Sequence, residues 1–215
     1  MSLFFDTNVL IGFIFKWDPW HSYAKNTFKE QCKKYFSDTV EEEVNKKFHK
    51  LLKKYVSFLD MLIRKLQSSN GFLTKEDFLK IAHQINIQKI NKLKIAESIW
   101  VDEKFNFDEE KDVIIHSLKE IKSIFKHESF SRKGYFFSII ELHIRNHRYP
   151  EVERKLKNKI HFPDWKIFLD AYDLFLLREP YLEVITSDAK PKDIDYIKKI
   201  TNLPKITDLA SRVFK

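Results

Sequence analysis

Apolar positions recur along the chain with two periods, and their order sketches an α/β protein. Leu3-Phe4-Phe5 is a short continuous apolar run closed by Asp6-Thr7-Asn8, the pattern of a buried strand ending at a polar corner. Val9, Ile11, Phe13 and Phe15 follow as amphipathic helical text. After a break at Trp17-Asp18-Pro19-Trp20, Tyr23, Ala24 and Phe28 resume helical spacing. A second apolar piece, Tyr35-Phe36, leads into Ser37-Asp38-Thr39-Val40-Glu41. Asp38 and Glu41 stand three residues apart, as in a capping box, so a helix is predicted from Asp38 through Val44, Phe48, Leu51, Leu52 and Val56.

Residues 70–160 hold no glycine between Gly71 and Gly134 and no proline before Pro150. Thr74 with Asp77 marks a helix start, and Val113, Ile114, Leu118, Ile121 and Phe125 mark another helix. The acid-rich segment 101–112 reads as an exposed connection. This middle region is predicted to be all-helical. Beyond it, Pro163-Asp164 opens a helix on Ile167, Phe168, Ala171, Leu174 and Phe175, and Tyr181 to Ile185 reads as a strand ending at Thr186-Ser187-Asp188. Strand and helix alternate at both ends of the chain, which argues for one α/β sheet whose halves are far apart in sequence. The predicted organisation is a split domain of residues 1–69 and 161–215, with a helical insertion at 70–160.

Composition narrows the chemistry. Three glycines in 215 residues, at 12, 71 and 134, cannot build a glycine-rich phosphate cradle. The single Cys32 allows neither an internal disulfide nor a multi-cysteine zinc site, which fits a reducing compartment. Apolar runs such as Val9 to Phe15 are too short to span a bilayer, and the first residues lack the text of a secretion signal. The expectation is a cytoplasmic protein with no membrane partner. A net charge of +8 leaves polyanions as partners.

The carboxylates carry the sharper signal. Asp6 and Asp188 each follow a predicted strand, and ligands bind outside the carboxyl ends of parallel strands. Asp164 opens the helix leading to the second of those strands, and Glu43 lies near the start of the helix after Ser37. Clustered carboxylates repel unless a cation neutralises them. An all-oxygen set favours Mg²⁺ or Mn²⁺ over zinc, and such ions can activate water for attack at phosphorus.

Four local patterns resemble those of the PIN-domain nucleases. They are Phe5-Asp6-Thr7-Asn8-Val9-Leu10, Ser37-x-x-Val40-x-x-Glu43-Val44, Asp164-x-x-Ile167-x-x-x-Ala171 and Val184-Ile185-Thr186-Ser187-Asp188. The resemblance covers roughly residues 1–50 and 160–210, and the middle of the chain departs from it. It implies a three-layer α/β fold with a central parallel sheet flanked by helices, and a metal-dependent ribonuclease cleaving single-stranded or structured RNA. It also implies that Asp6, Glu43, Asp164 and Asp188 are the catalytic, metal-binding acids, with Asn8 and Thr186 as polar supports. Glu42 competes with Glu43 for the second position, because helix neighbours diverge by about 100°. The settings it allows are a toxin of a toxin–antitoxin pair, with an antitoxin-like protein partner, or RNA processing. A homodimer and a catalytically inactive RNA-binding or protein-interaction module are also compatible with it.

Positive charge is localised. Residues 44–66 and 122–160 each carry a net +6, the second with Phe125, Phe130, Tyr135, Phe136 and Phe137 interleaved. Basic groups beside rings suit single-stranded nucleic acid, although most large rings read as core. Lys46, Lys47, Lys50, Arg132 and Lys133 are the candidate contacts, with Arg132-Lys133 beside Gly134 read as an exposed loop. Asp170 and Asp173 read as facing away from Asp164, Asp170 toward solvent, and Asp193 as a surface loop acid. His143 and His147 share a helix spacing able to bind zinc but lack a third ligand, so they read as ordinary surface or core residues.

Overall fold

A computed structural model describes residues 1–69, 71–88, 90–187 and 190–212. In chain order the elements are β1 (Ser2–Phe5), α1 (Thr7–Ile14), α2 (His21–Phe28), β2 (Lys33–Ser37), α3 (Asp38–Gln67), β3 (Phe72–Thr74), α4 (Lys75–His83) and α5 (Lys92–Asp102). They continue with β4 (Asp108–Glu110), α6 (Lys111–Ile139), β5 (Glu141–His143), α7 (Pro150–Lys157), α8 (Asp164–Leu177), β6 (Leu182–Thr186), α9 (Pro191–Thr201) and β7 (Lys205–Asp208). No described helix is long and apolar enough to cross a membrane.

The chain forms two compact units, one of residues 1–48 with 132–215 and one of 49–131. The change of unit falls inside the long helices α3 and α6, whereas the sequence offered breaks at 70 and 160.

The first unit is α/β. Its five strands run in the order β5-β2-β1-β6-β7, and every pairing is parallel. Every residue of β1 and of β6 is buried, so the sheet is covered on both faces and the strands read as continuous apolar text rather than alternation. Phe5 stacks on Phe28 and Phe28 on Phe13, with ring centroids 4.9 and 4.0 Å apart. Gly12 of α1 faces Trp20, where an added Cβ would lie 3.0 Å from the Trp20 Cβ and 3.3 Å from its carbonyl carbon. A glycine there lets the helix pass close to the turn before α2. Glu179 ties two neighbouring strands together, accepting hydrogen bonds from Ser2 of β1 and from the Tyr35 hydroxyl of β2.

The chain order places a switch point at β1. From β1 the chain moves to β2 on one side, and later returns to β6 on the other. The carboxyl ends of β1 and β6 therefore flank the crevice where ligands bind in open α/β sheets.

The all-helical expectation for 70–160 needs correction in two places. In the second unit β3 and β4 form an antiparallel ladder, Leu73 opposite Glu109. In the first unit β5 joins the edge of the main sheet, with Leu142 beside Phe36 and His143 beside Ser37. Each strand is three residues long, too short to show a period of two in sequence. The Thr74 start of α4 is a capping box, the Thr74 hydroxyl accepting from the Asp77 N–H and Asp77 bonding back. At α3 the cap is one residue earlier than predicted: the Ser37 hydroxyl accepts from the Val40 N–H.

Candidate functional site

Asp6 follows β1 directly, and its extended backbone opens α1. Its N–H bonds to the Ile185 carbonyl of β6 at 3.0 Å, and the Thr186 hydroxyl donates to Asp6 Oδ2 at 2.8 Å. Both residues are buried. Asp164 is the first residue of α8 and Asp193 lies in the first turn of α9, two residues after Pro191 begins that helix. Acids in a first helical turn are favoured by the unpaired N–H groups there.

Asp6, Asp164 and Asp193 line one cleft of about 190 Å³. Lys159, His161 and Lys190 also line it, and Ile160, Ile167, Phe168 and Ile197 form an apolar wall. The structure thus brings together Asp6, Asp164 and Thr186 from the expected set and adds Asp193, which sequence reading placed on a surface loop. A signal was available for it: proline followed by an acid in the first turn, just after a strand end, describes a helix opening at the sheet's carboxyl edge.

Glu43 is not among the residues lining this cleft. It accepts from the Thr7 hydroxyl at 2.6 Å and pairs with Lys47 at 2.8 Å, and Lys47 also donates to Asn8 Oδ1 at 3.0 Å. Asn8 therefore meets Lys47, while Thr186 meets Asp6. Glu42 is exposed and pairs only loosely with Lys46, at 3.9 Å, whereas Glu43 is the more buried of the two. Asp188 lies outside the described residues.

The basic candidates differ in their surroundings. Lys46 and Lys50 are exposed. Arg132 and Lys133 do not sit in a loop: both belong to α6, which runs through Gly134. Arg132 is half-buried and donates to the Ile14 carbonyl at 3.4 Å. Lys133 lies over the Phe48 and Phe137 rings, and burial pushes its pKa below the usual lysine value, partly offset by Glu41. The expected loop is absent because Gly134 stands in a continuous helix, with nothing within 4 Å of where a Cβ would be.

A second polar cluster lies at the carboxyl ends of β2 and β5. Asp170, expected to face solvent, is fully buried, as is Asp173 one turn on. Asp170 accepts from the Thr39 hydroxyl at 2.7 Å and from Arg145 Nε at 2.9 Å. Burial pushes its pKa up, opposed by hydrogen bonds from Thr39 and Ser37 and by Arg145. Asp173 accepts from the Tyr149 hydroxyl at 2.7 Å, and its other oxygen lies 3.0 Å from His143 Nε2. His147 Nδ1 is 3.3 Å from the same carboxylate. Burial holds the His143 pKa below the ordinary histidine value despite Asp173 beside it. The two histidines thus share a carboxylate, and His143 belongs to a strand rather than to the helix their spacing suggested.

No family model, curated protein or solved structure matches the chain.

Among the described residues no three His, Cys, Asp or Glu side chains are grouped closely enough to hold a metal ion, so the cleft acids could serve a hard cation only as one or two carboxylates. These acids offer only oxygen, and one is fixed in rotation by a buried hydroxyl. Mg²⁺ characteristically binds through one or two carboxylates and completes its shell with water and substrate phosphate.

Proposed function

We propose that the chain is a Mg²⁺- or Mn²⁺-dependent phosphodiester hydrolase acting on RNA. The observation that carries this reading is the gathering of Asp6, Asp164 and Asp193 around one cleft at the switch point of a parallel sheet. Asp6 and Asp164 would hold the ion, water and phosphate completing its shell, and the sequence patterns around these two acids, which resemble those of PIN-domain nucleases, point to the same cleft. When bound, such an ion lowers the pKa of water and neutralises charge building on the phosphate oxygens.

The chain's own groups supply the rest. Thr186 sets the rotation of the Asp6 carboxylate through its hydrogen bond. Lys159 and Lys190 bring positive charge to the cleft, where non-bridging phosphate oxygens would lie. The Ile160, Ile167, Phe168 and Ile197 wall limits water to the polar side. Glu43 enters as a further acid only by exchanging its Lys47 partner for the cation. That ion pair is the observation favouring a second reading, a binding module of the same fold in which lysine takes the place of the metal.

The test is incubation of the purified chain with single-stranded RNA in Mn²⁺ and in EDTA. Cleavage in Mn²⁺ that EDTA stops and Asp6→Asn abolishes is the expected result. Equal cleavage by wild type and Asp6→Asn would remove the cleft from the chemistry, and RNA binding without cleavage would favour the binding module.

A further inference from the structure

The lip of the cleft carries an aromatic surface that hydrolysis does not require. His161 and Asp164 both line the cleft, and between them Phe162 is 71% exposed. A lone exposed ring is ordinary on protein surfaces. Phe162 is not alone: its ring centroid lies 6.4 Å from that of Trp165, and the Lys157 ammonium sits 4.4 Å above the Trp165 ring. Lys159, on the same stretch of chain, lines the cleft and lies 4.4 Å over the Tyr196 ring. Glu153, Arg154, Lys157 and Asn158 line a groove along α7, where Lys157 also pairs with Glu153 at 2.5 Å and would exchange that partner for phosphate. Basic side chains alternating with rings are the arrangement that receives an unpaired strand, ammonium groups meeting phosphates and rings meeting base faces. A duplex cannot use such a ring, because its base faces are already stacked.

We infer that Phe162 is a positioning residue: it stacks the base of the nucleotide flanking the phosphate in the cleft, while Lys157 and Lys159 hold that nucleotide's backbone. The identity of the cleft's occupant rests on the hydrolase reading above. The contact itself is a binding property and can be measured without turnover.

The experiment is fluorescence anisotropy of a labelled eight-nucleotide single-stranded RNA, and of the same strand in a duplex, in EDTA. Phe162→Ala is expected to weaken single-strand binding about tenfold, as loss of one base–aromatic stack does, with no change for the duplex. Phe162→Trp is expected to restore wild-type affinity, and because the ring is exposed both variants should melt as wild type does. In Mn²⁺ the Phe162→Ala loss should appear in KM and leave kcat nearly unchanged. Unchanged single-strand affinity in Phe162→Ala, equal weakening for duplex and single strand, or no RNA binding by wild type would each overturn the inference. Weakened binding without Mn²⁺-dependent cleavage by wild type would support the stacking contact while removing the hydrolase reading.

Discussion

Arg145→Met tests whether the buried Asp170 cluster is organised by charge. Asp170 is 1% exposed at its side chain and Arg145 19%, with Nε 2.9 Å from Oδ1. Removing the guanidinium leaves a desolvated carboxylate with hydroxyl partners only. Breaking a buried pair from one side costs about 3–5 kcal/mol, against at most about 1 kcal/mol for an exposed pair. The pH dependence identifies the cause. Burial already raises the Asp170 pKa in the folded state and Arg145 opposes that, so the variant's folded pKa lies higher still. A carboxyl whose folded pKa exceeds its unfolded value takes up a proton on folding as pH falls through that window, which favours the folded state. The deficit of Arg145→Met relative to wild type should therefore be largest near neutral pH and shrink on acidification. Urea denaturation of both proteins, followed by circular dichroism at pH 7 and pH 5, measures it. A deficit below about 1 kcal/mol at pH 7, or one that does not change with pH, would refute the reasoning. The cluster matters for the site because Asp170 shares α8 with Asp164, which opens that helix at the cleft.

Two glycines should respond oppositely. Gly12→Val forces a side chain against Trp20 and should destabilise by roughly 2 kcal/mol, whereas Gly134→Ala, with open space in mid-helix, should stabilise by about 0.5–1 kcal/mol; thermal melts distinguish them. His143, whose folded pKa is held below the ordinary 6.5, disfavours its charged form in the folded state. The stability it confers is present above that ordinary value and is lost as pH falls toward the lowered folded pKa. The His143 contribution to wild-type stability should therefore fall away as pH drops below about 6.5, and His143→Gln should lose less over the same range; parallel slopes would contradict this.

Much of the sheet centre was readable because it is apolar on both faces. Leu3-Phe4-Phe5 before Asp6 and the run to Thr186 needed no partner to declare themselves, and both are strands buried at every position. Their closing residues were readable for the same reason, and the Thr186–Asp6 hydrogen bond joins them. What stayed hidden depended on long-range packing. Asp170 and Asp173 do diverge from Asp164 around α8, as about 100° per residue requires. The far side of α8 does not meet solvent, because the His143–Tyr149 segment covers it and supplies the partners. Three-residue β5 was invisible for want of a period, although its register places His143 beside Ser37 and so builds that cluster. Lys159, His161 and Lys190 reach the cleft from loops and helix ends, positions that carry no periodic signal.

The claim that Asp6 and Asp164 act on one site is tested most directly by a double-mutant cycle on kcat/KM for RNA cleavage in Mn²⁺. Groups that hold the same ion fail together, so each single asparagine substitution should remove nearly all activity, and the double variant should be no worse than the poorer single. Losses that multiply in the double variant, or a single variant that cleaves as wild type does, would contradict a shared metal site at this cleft.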